Sequence, residues 1–150
     1  MVRMVVDTDV MVAALQSDQG ASRALLEALF RGEAAMLLST SLMVEYEAVL
    51  TRPKILERAG IAVAELITLL DDIARICIPV QIDYRWRPAS SDPNDDHVLE
   101  TAINGSANMI ATFNLRHLAK SAAKFNISAA RPVAILNKLR LENTASTGER

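Results

Sequence analysis

The chain has 150 residues, a formal net charge of −2 and a hydrophobic content of 51%. That length supports one domain with an ordinary core, and the apolar content excludes a disordered chain. The acidic balance excludes a protein that coats long stretches of nucleic acid, so any such contact has to be local or completed by a second subunit.

In chain order, Met1 to Val6 reads as a strand ending at Asp7, and Val10 to Leu15 as a short helix that Asp9 would cap. Ser22 to Arg31 carries Leu25, Leu26, Leu29 and Phe30 on a helical stripe closed by Gly32. Ala35 to Ser39 is a short apolar run, a buried strand. Ser41 is the expected cap of a helix from Leu42 to Thr51, which stops before Pro53. A short helix follows from Pro53 to Ala59, closed by Gly60. Val63, Leu66, Ile67, Leu70, Ile73, Ala74 and Cys77 repeat at three and four, which predicts a helix from Val63 to about Arg75. Ile78 to Asp83 reads as a strand and Tyr84 to Ser91 as a polar loop. A helix is expected from Pro93 to about Asn104, with Asp92 as its cap and Gly105 at its end. Asn108 to Thr112 is a strand; Leu115 to Phe125 fits helix or loop equally. A short last strand is expected around Ile127, then a helix from Pro132 to Leu141. Residues 1–141 thus form one domain, and 142–150 read as a small, polar, flexible tail. Strands alternating with helices predict an α/β fold, a three-layer α/β/α sandwich around a central parallel sheet.

No apolar run approaches the roughly 20 residues of a membrane span. The residues before Asp7 lack the pattern of a secretory signal. The single cysteine, Cys77, reads as a buried structural thiol and suits a reducing compartment. A cytoplasmic protein without membrane contact is the expectation.

Acidic residues at separated positions carry the chemistry. An acid closing a buried strand is costly unless paired or metal-bound, which points to Asp7 as a ligand, with Thr8 and Asp9 supporting it. Glu45 alone would read as a solvated helix residue. Asp92, Asp95 and Asp96 surround a helix start; two acids would satisfy the cap and the helix dipole, and three with His97 exceed that need. Asn114 follows the strand through Thr112 and comes near Asp7 if the two strands are neighbours. Its amide oxygen can ligate a hard cation, with Thr112 assisting. His97 and His117 are not spaced like zinc ligands. Arg52, Lys54, Arg58, Arg85, Arg87, Arg116, His117 and Lys120 mostly read as a solvated charged face. Arg116, two residues past Asn114, is the best phosphate contact among them. Trp86 could stack on a base but reads as packing.

Four segments together resemble the PIN domain family, in its branch of bacterial toxin–antitoxin toxins. They are Val5-Val6-Asp7-Thr8-Asp9-Val10, Val44-Glu45-Tyr46-Glu47 running on to Arg52-Pro53, Asp92-Pro93-Asn94-Asp95-Asp96-His97, and Ile110-Ala111-Thr112-Phe113-Asn114-Leu115-Arg116. The resemblance implies that Asp7, Glu45 and Asp95 are the acids of the site. It also implies an endoribonuclease dependent on Mg²⁺ or Mn²⁺, a homodimer, and a small antitoxin partner. Many relatives carry Asp where this chain has Asn114, so the fourth carboxylate is missing. Two alternatives stay open. One is a catalytically impaired PIN-like module that binds RNA or protein without cutting. The other is a phosphatase similar to the haloacid dehalogenase type, in which Asp7 would be the nucleophile, Asp9 the acid/base, Ser39 or Thr40 the phosphate binder, and Asp95 and Asp96 the Mg²⁺ ligands.

Overall fold

The computed structural model describes residues 1–83 and 96–148. The polar loop with Arg85, Trp86 and Arg87, the start of the helix expected at Pro93, and the acids Asp92 and Asp95 lie outside the described residues, as does the Asp96 side chain. The elements are β1 (Arg3–Val6), α1 (Thr8–Gln16), α2 (Ala21–Phe30), β2 (Ala35–Leu38), α3 (Thr40–Leu50), α4 (Pro53–Ala59) and α5 (Val63–Ile76). They continue with β3 (Ile78–Pro79), α6 (Asp96–Asn104), β4 (Met109–Ala111), α7 (Leu115–Ala123), β5 (Ser128–Ala130) and α8 (Pro132–Gly148).

The sheet is five-stranded in the order β3-β2-β1-β4-β5, and every pairing is parallel. A parallel sheet needs both faces covered, so its strands are apolar rather than alternating. Met4, Val5, Val6, Ile110 and Ala111 are all buried. Helix α2 packs against α1 and α8, while α6 lies on β1, β2 and β4 and touches α3. This is the expected α/β sandwich around a parallel sheet. Chain order runs outward from β1 through β2 to β3 on one side and jumps to β4 and β5 on the other. The sheet therefore has its switch point between β1 and β4, and ligands of such sheets bind beyond the strand C-termini there. Asp7 follows one of those ends and Thr112 the other, and the Asp7 N–H donates to the Ala111 carbonyl at 2.9 Å.

Several boundaries differ from expectation. Helix α1 starts at Thr8, and its cap is Asp7, not Asp9. Helix α3 starts at Thr40 with Ser39 as its cap, not Ser41; the extended backbone of Ser39 lets its hydroxyl accept from the Leu42 N–H at 3.3 Å. Strand β3 stops at Pro79 rather than Asp83. Its partner β2 ends at Leu38, where α3 takes over, so after the Val80 N–H reaches the Leu38 carbonyl at 2.9 Å no ladder remains to join. The segment after Asn114 is helix. Helix α8 runs past Leu141 to Gly148, since residues 142–147 contain neither proline nor glycine to break it, and the Thr144 hydroxyl donates back to the Arg140 carbonyl at 2.8 Å. Cys77 is only half-buried, at the end of α5, where its thiol donates to the Ala74 carbonyl.

Two close contacts fix helices against the sheet, one at each of its edges. Tyr46 of α3 is fully buried, and its hydroxyl donates to the Val6 carbonyl, the last of β1. Gly105 ends α6 where a Cβ would meet Val80 Cγ2 at 2.8 Å and Leu37 Cδ1 at 3.0 Å, so no larger residue fits there without a shift.

Candidate active site

The site begins with the Asp7 carboxylate, which is buried just past β1 and pointed by two donors. The Thr8 N–H donates to Oδ1 at 2.7 Å, and the Thr112 hydroxyl donates to Oδ2 at 2.7 Å. The first of these is the helix cap, so one carboxylate serves both α1 and the pocket. The Thr8 hydroxyl donates in turn to Glu45 Oε2. Thr8 thereby ties the two acids together, one by its backbone and one by its side chain. Burying a carboxylate is tolerable only with such partners.

Glu45, Ala48, Val49 and Arg52 follow a spacing of three, four and seven along α3 and its C-terminal turn, which puts them on one helical face. They line a cleft of about 610 Å³ with Asp7, Thr8, Asp9, Val12 and Ile55. Glu45 is therefore not the solvated residue its local sequence suggests.

Asp9 has a different job. Its Oδ2 accepts from the Phe113 N–H at 3.1 Å, latching the turn after β4 to α1. Its Oδ1 is buried without a hydrogen-bond partner among the described residues. Burial raises its carboxyl above the ordinary 3.8, while the N–H groups of Phe113 and Val10 pull the other way. With the folded value above the unfolded one, the protonated acid favours the fold. The stability tied to Asp9 is then full below the unfolded value and falls as pH rises through the folded one. Asp9→Asn keeps an acceptor for Phe113 and removes the buried charge. It is expected to stabilise the chelator-treated protein at pH 7, with the gain shrinking toward about pH 4. Thermal unfolding at the two pH values checks this; a gain that does not vary with pH counts against a buried charge.

Asn114 stands at the start of α7. Its N–H donates to the Thr112 hydroxyl at 2.9 Å, so Thr112 bridges Asn114 to Asp7. The strands β1 and β4 are neighbours, which brings Asn114 to the Asp7 end of the sheet as expected. Its side chain is not among those lining the cleft. Arg116 is exposed in the first turn of α7, also outside the cleft lining. Ser39 is buried, with its hydroxyl engaged by Thr101 at 2.7 Å and by the cap of α3, so it does not present a phosphate-binding hydroxyl to Asp7. Thr40, the other phosphate binder of the phosphatase alternative, lines a different pocket with Ser41 and His97 rather than the Asp7 cleft.

A family model described as the PIN domain matches residues 3–116. The chain belongs to the PIN domain family. PIN domains are generally nucleases, and generally work with divalent metals, so this PIN domain carries a nuclease-type fold. No curated protein matches the chain. Among the described residues no helix is long and apolar enough to cross a membrane.

The donors of this PIN domain suit a hard divalent cation in kind. Asp7 and Glu45 offer carboxylate oxygens on one cleft, without the thiolates or imidazoles that softer ions prefer. Among the described residues, no three of Asp, Glu, His and Cys converge enough to hold a metal ion. The described part of the site holds two of the three expected acids, and Asp95 lies outside it.

Two features of the site were not legible locally. Thr8 as the link between Asp7 and Glu45 needs the packing of α3 against α1. The placement of Arg52 on the acid wall needed the period of α3 counted forward from Glu45, a signal present in the sequence but indistinguishable there from a solvated arginine.

Proposed function

We propose that this PIN domain is an endoribonuclease that hydrolyses RNA phosphodiester bonds with Mg²⁺ or Mn²⁺ held by Asp7, Glu45 and Asp95. The observation that carries the reading is the Asp7–Thr8–Glu45 linkage at the switch point of the sheet. Asp95 immediately precedes α6, an element that packs on β1 and α3, which lead to Asp7 and carry Glu45. His97 in the first turn of α6 shares a pocket with Thr40 and Ser41 at the start of α3, so both helices begin at the same edge of the sheet.

When bound, the metal supplies a water of lowered pKa and neutralises charge on the phosphate oxygens. The chain's own residues prepare the place. Thr8 and Thr112 hold the Asp7 carboxylate in one orientation, Thr8 holds Glu45, and Asp9 keeps the turn with Thr112 and Asn114 against α1. Fixing donors before substrate arrives avoids reorganisation during the reaction. In the hydrolysis, a water oxygen bonds to phosphorus, the bond to the bridging oxygen breaks, and that oxygen takes up a proton. Asn114 stands where a further acid would be, an uncharged neighbour that orients water; Asp92 and Asp96 support Asp95. Arg116 contacts RNA outside the cleft. The resemblance to toxins further supports a homodimer in the cytoplasm, held inactive by a small antitoxin protein.

The test is cleavage of a structured RNA by the purified protein. Cutting is expected with Mn²⁺ or Mg²⁺, lost on chelation and restored by adding the metal back. Cleavage that persists in chelator, or binding with no turnover in either metal, rejects the reading.

A further inference from the structure

The acid cleft has a problem of charge. Asp7, Asp9 and Glu45 line it, the chain as a whole is at −2, and RNA brings one negative charge per phosphate. Repulsion among these groups has to be offset locally. The residues lining the cleft include one cation, Arg52. Among the described residues nothing pairs with its guanidinium: the ion pairs are Arg31 with Glu33 and Arg75 with Asp72. Its side chain is exposed.

The backbone at Arg52 is held from both sides. Its N–H donates to the Val49 carbonyl at 3.2 Å, and its own carbonyl accepts from the Ile55 N–H at 3.0 Å and the Leu56 N–H at 3.1 Å. Pro53 follows it, which confines Arg52 to the extended conformation seen, φ −60° and ψ 134°. A long side chain thus leaves a rigid base on the same helical face as Glu45. Seven residues at helical rise place that base about 10 Å along the axis from Glu45. The reach suits a phosphate beside the one being cut.

We propose that Arg52 is a substrate-binding residue of the cleft, whose guanidinium takes an RNA backbone phosphate adjacent to the scissile one. The assignment rests on the ribonuclease reading for its substrate class. A planar guanidinium presents parallel N–H donors that match two phosphate oxygens, and a lysine there would offer only a point charge. Because the contact is to backbone, it adds affinity without base preference.

The experiment uses the full chain and a fluorescein-labelled single-stranded RNA, with cleavage followed in Mn²⁺. Arg52→Ala is expected to raise KM about tenfold while kcat changes less than about threefold. Arg52→Lys recovers part of the loss. Arg75→Ala, which removes a cation already paired with Asp72 on α5, leaves both constants unchanged. In an Asp7→Asn background, which binds without cutting, Arg52→Ala lowers the slope of log affinity against log salt by about 0.7, the single-strand value for one phosphate. The main-chain bonds at residue 52 survive all these changes, and circular dichroism verifies the fold. Equal KM for Arg52→Ala and wild type overturns the proposal and leaves the nuclease reading intact. A wild type that binds RNA without cutting it, with binding still weakened by Arg52→Ala, overturns the nuclease reading and keeps the phosphate contact. No binding by the wild type overturns both.

Discussion

Asp7→Asn is expected to abolish the proposed metal-dependent RNA cleavage, by about three orders of magnitude or ~4 kcal/mol of transition-state stabilisation. The substitution is nearly isosteric, and this makes the result interpretable. The amide oxygen of the new side chain can still accept from the Thr8 N–H, so the cap of α1 survives. The new NH₂ can donate to the second lone pair of the Thr112 hydroxyl, whose first accepts from the Asn114 N–H. What disappears is the negative charge, and a hard cation is bound by charge more than by shape. The expected pattern is a normal denaturation midpoint, a Mn²⁺ titration that no longer saturates in the wild-type range, and no cut RNA. A folded Asp7→Asn protein that cleaves at the wild-type rate would sink the assignment of Asp7, whatever the other acids do.

The second large effect is on stability. Tyr46→Ala is expected to cost about 3–5 kcal/mol, the usual range for emptying an aromatic site in a core. Tyr46 is fully buried in α3 beside Glu45, and its hydroxyl donates to the last carbonyl of β1. Tyr46→Phe separates the two contributions. It keeps the ring and leaves the Val6 carbonyl without that donor, a loss of about 1–3 kcal/mol. Burial first, then the neighbouring charges of Asp7, Glu45 and Cys77, push the Tyr46 phenol well above its ordinary value of 10.0. It therefore remains a donor throughout the neutral range, and the stability it contributes is full below the unfolded value and declines as pH climbs toward the folded one. Urea unfolding of the two variants checks the order. A Tyr46→Ala midpoint equal to that of Tyr46→Phe would show that the ring adds nothing, contrary to its complete burial.

Much of the architecture was written in local pattern. The apolar run before Asp7, the stripe of Leu66, Leu70 and Ile73 on α5, and Pro53 at the start of α4 each act over a few residues, so a reader of the chain can place them. The failures share a cause. Asp7 and Asp9 both qualify as helix caps by residue type, and only the turn of the chain beyond β1 decides that Asp7 takes the cap while Asp9 reaches across to Phe113. Ser39 and Ser41 pose the same choice for α3. Strand β3 looks longer in sequence because β propensity measures side chains, whereas strand length is set by the neighbour, and β2 has none to offer beyond Leu38. Thr8 and Arg52 differ in how they were missed. Thr8 was named as support for Asp7, but its second partner, Glu45, lies 37 residues away. Arg52 was set aside as a solvated cation, and only the cleft shows what it faces.

The amino-acid sequence by itself determined the alternation of strands and helices, the parallel sheet that follows from it, and the residue types able to hold a hard cation. It does so because hydrophobic period, proline, glycine and carboxylate chemistry act within a few residues or in one side chain. Tertiary structure alone decided which of those groups meet. Strand order puts Asp7 next to Thr112, and the packing of α3 against α1 brings Glu45 to Thr8 and sets Arg52 on the same cleft as the acids. Those encounters depend on contacts distant in sequence, and a local reading carries no term for them.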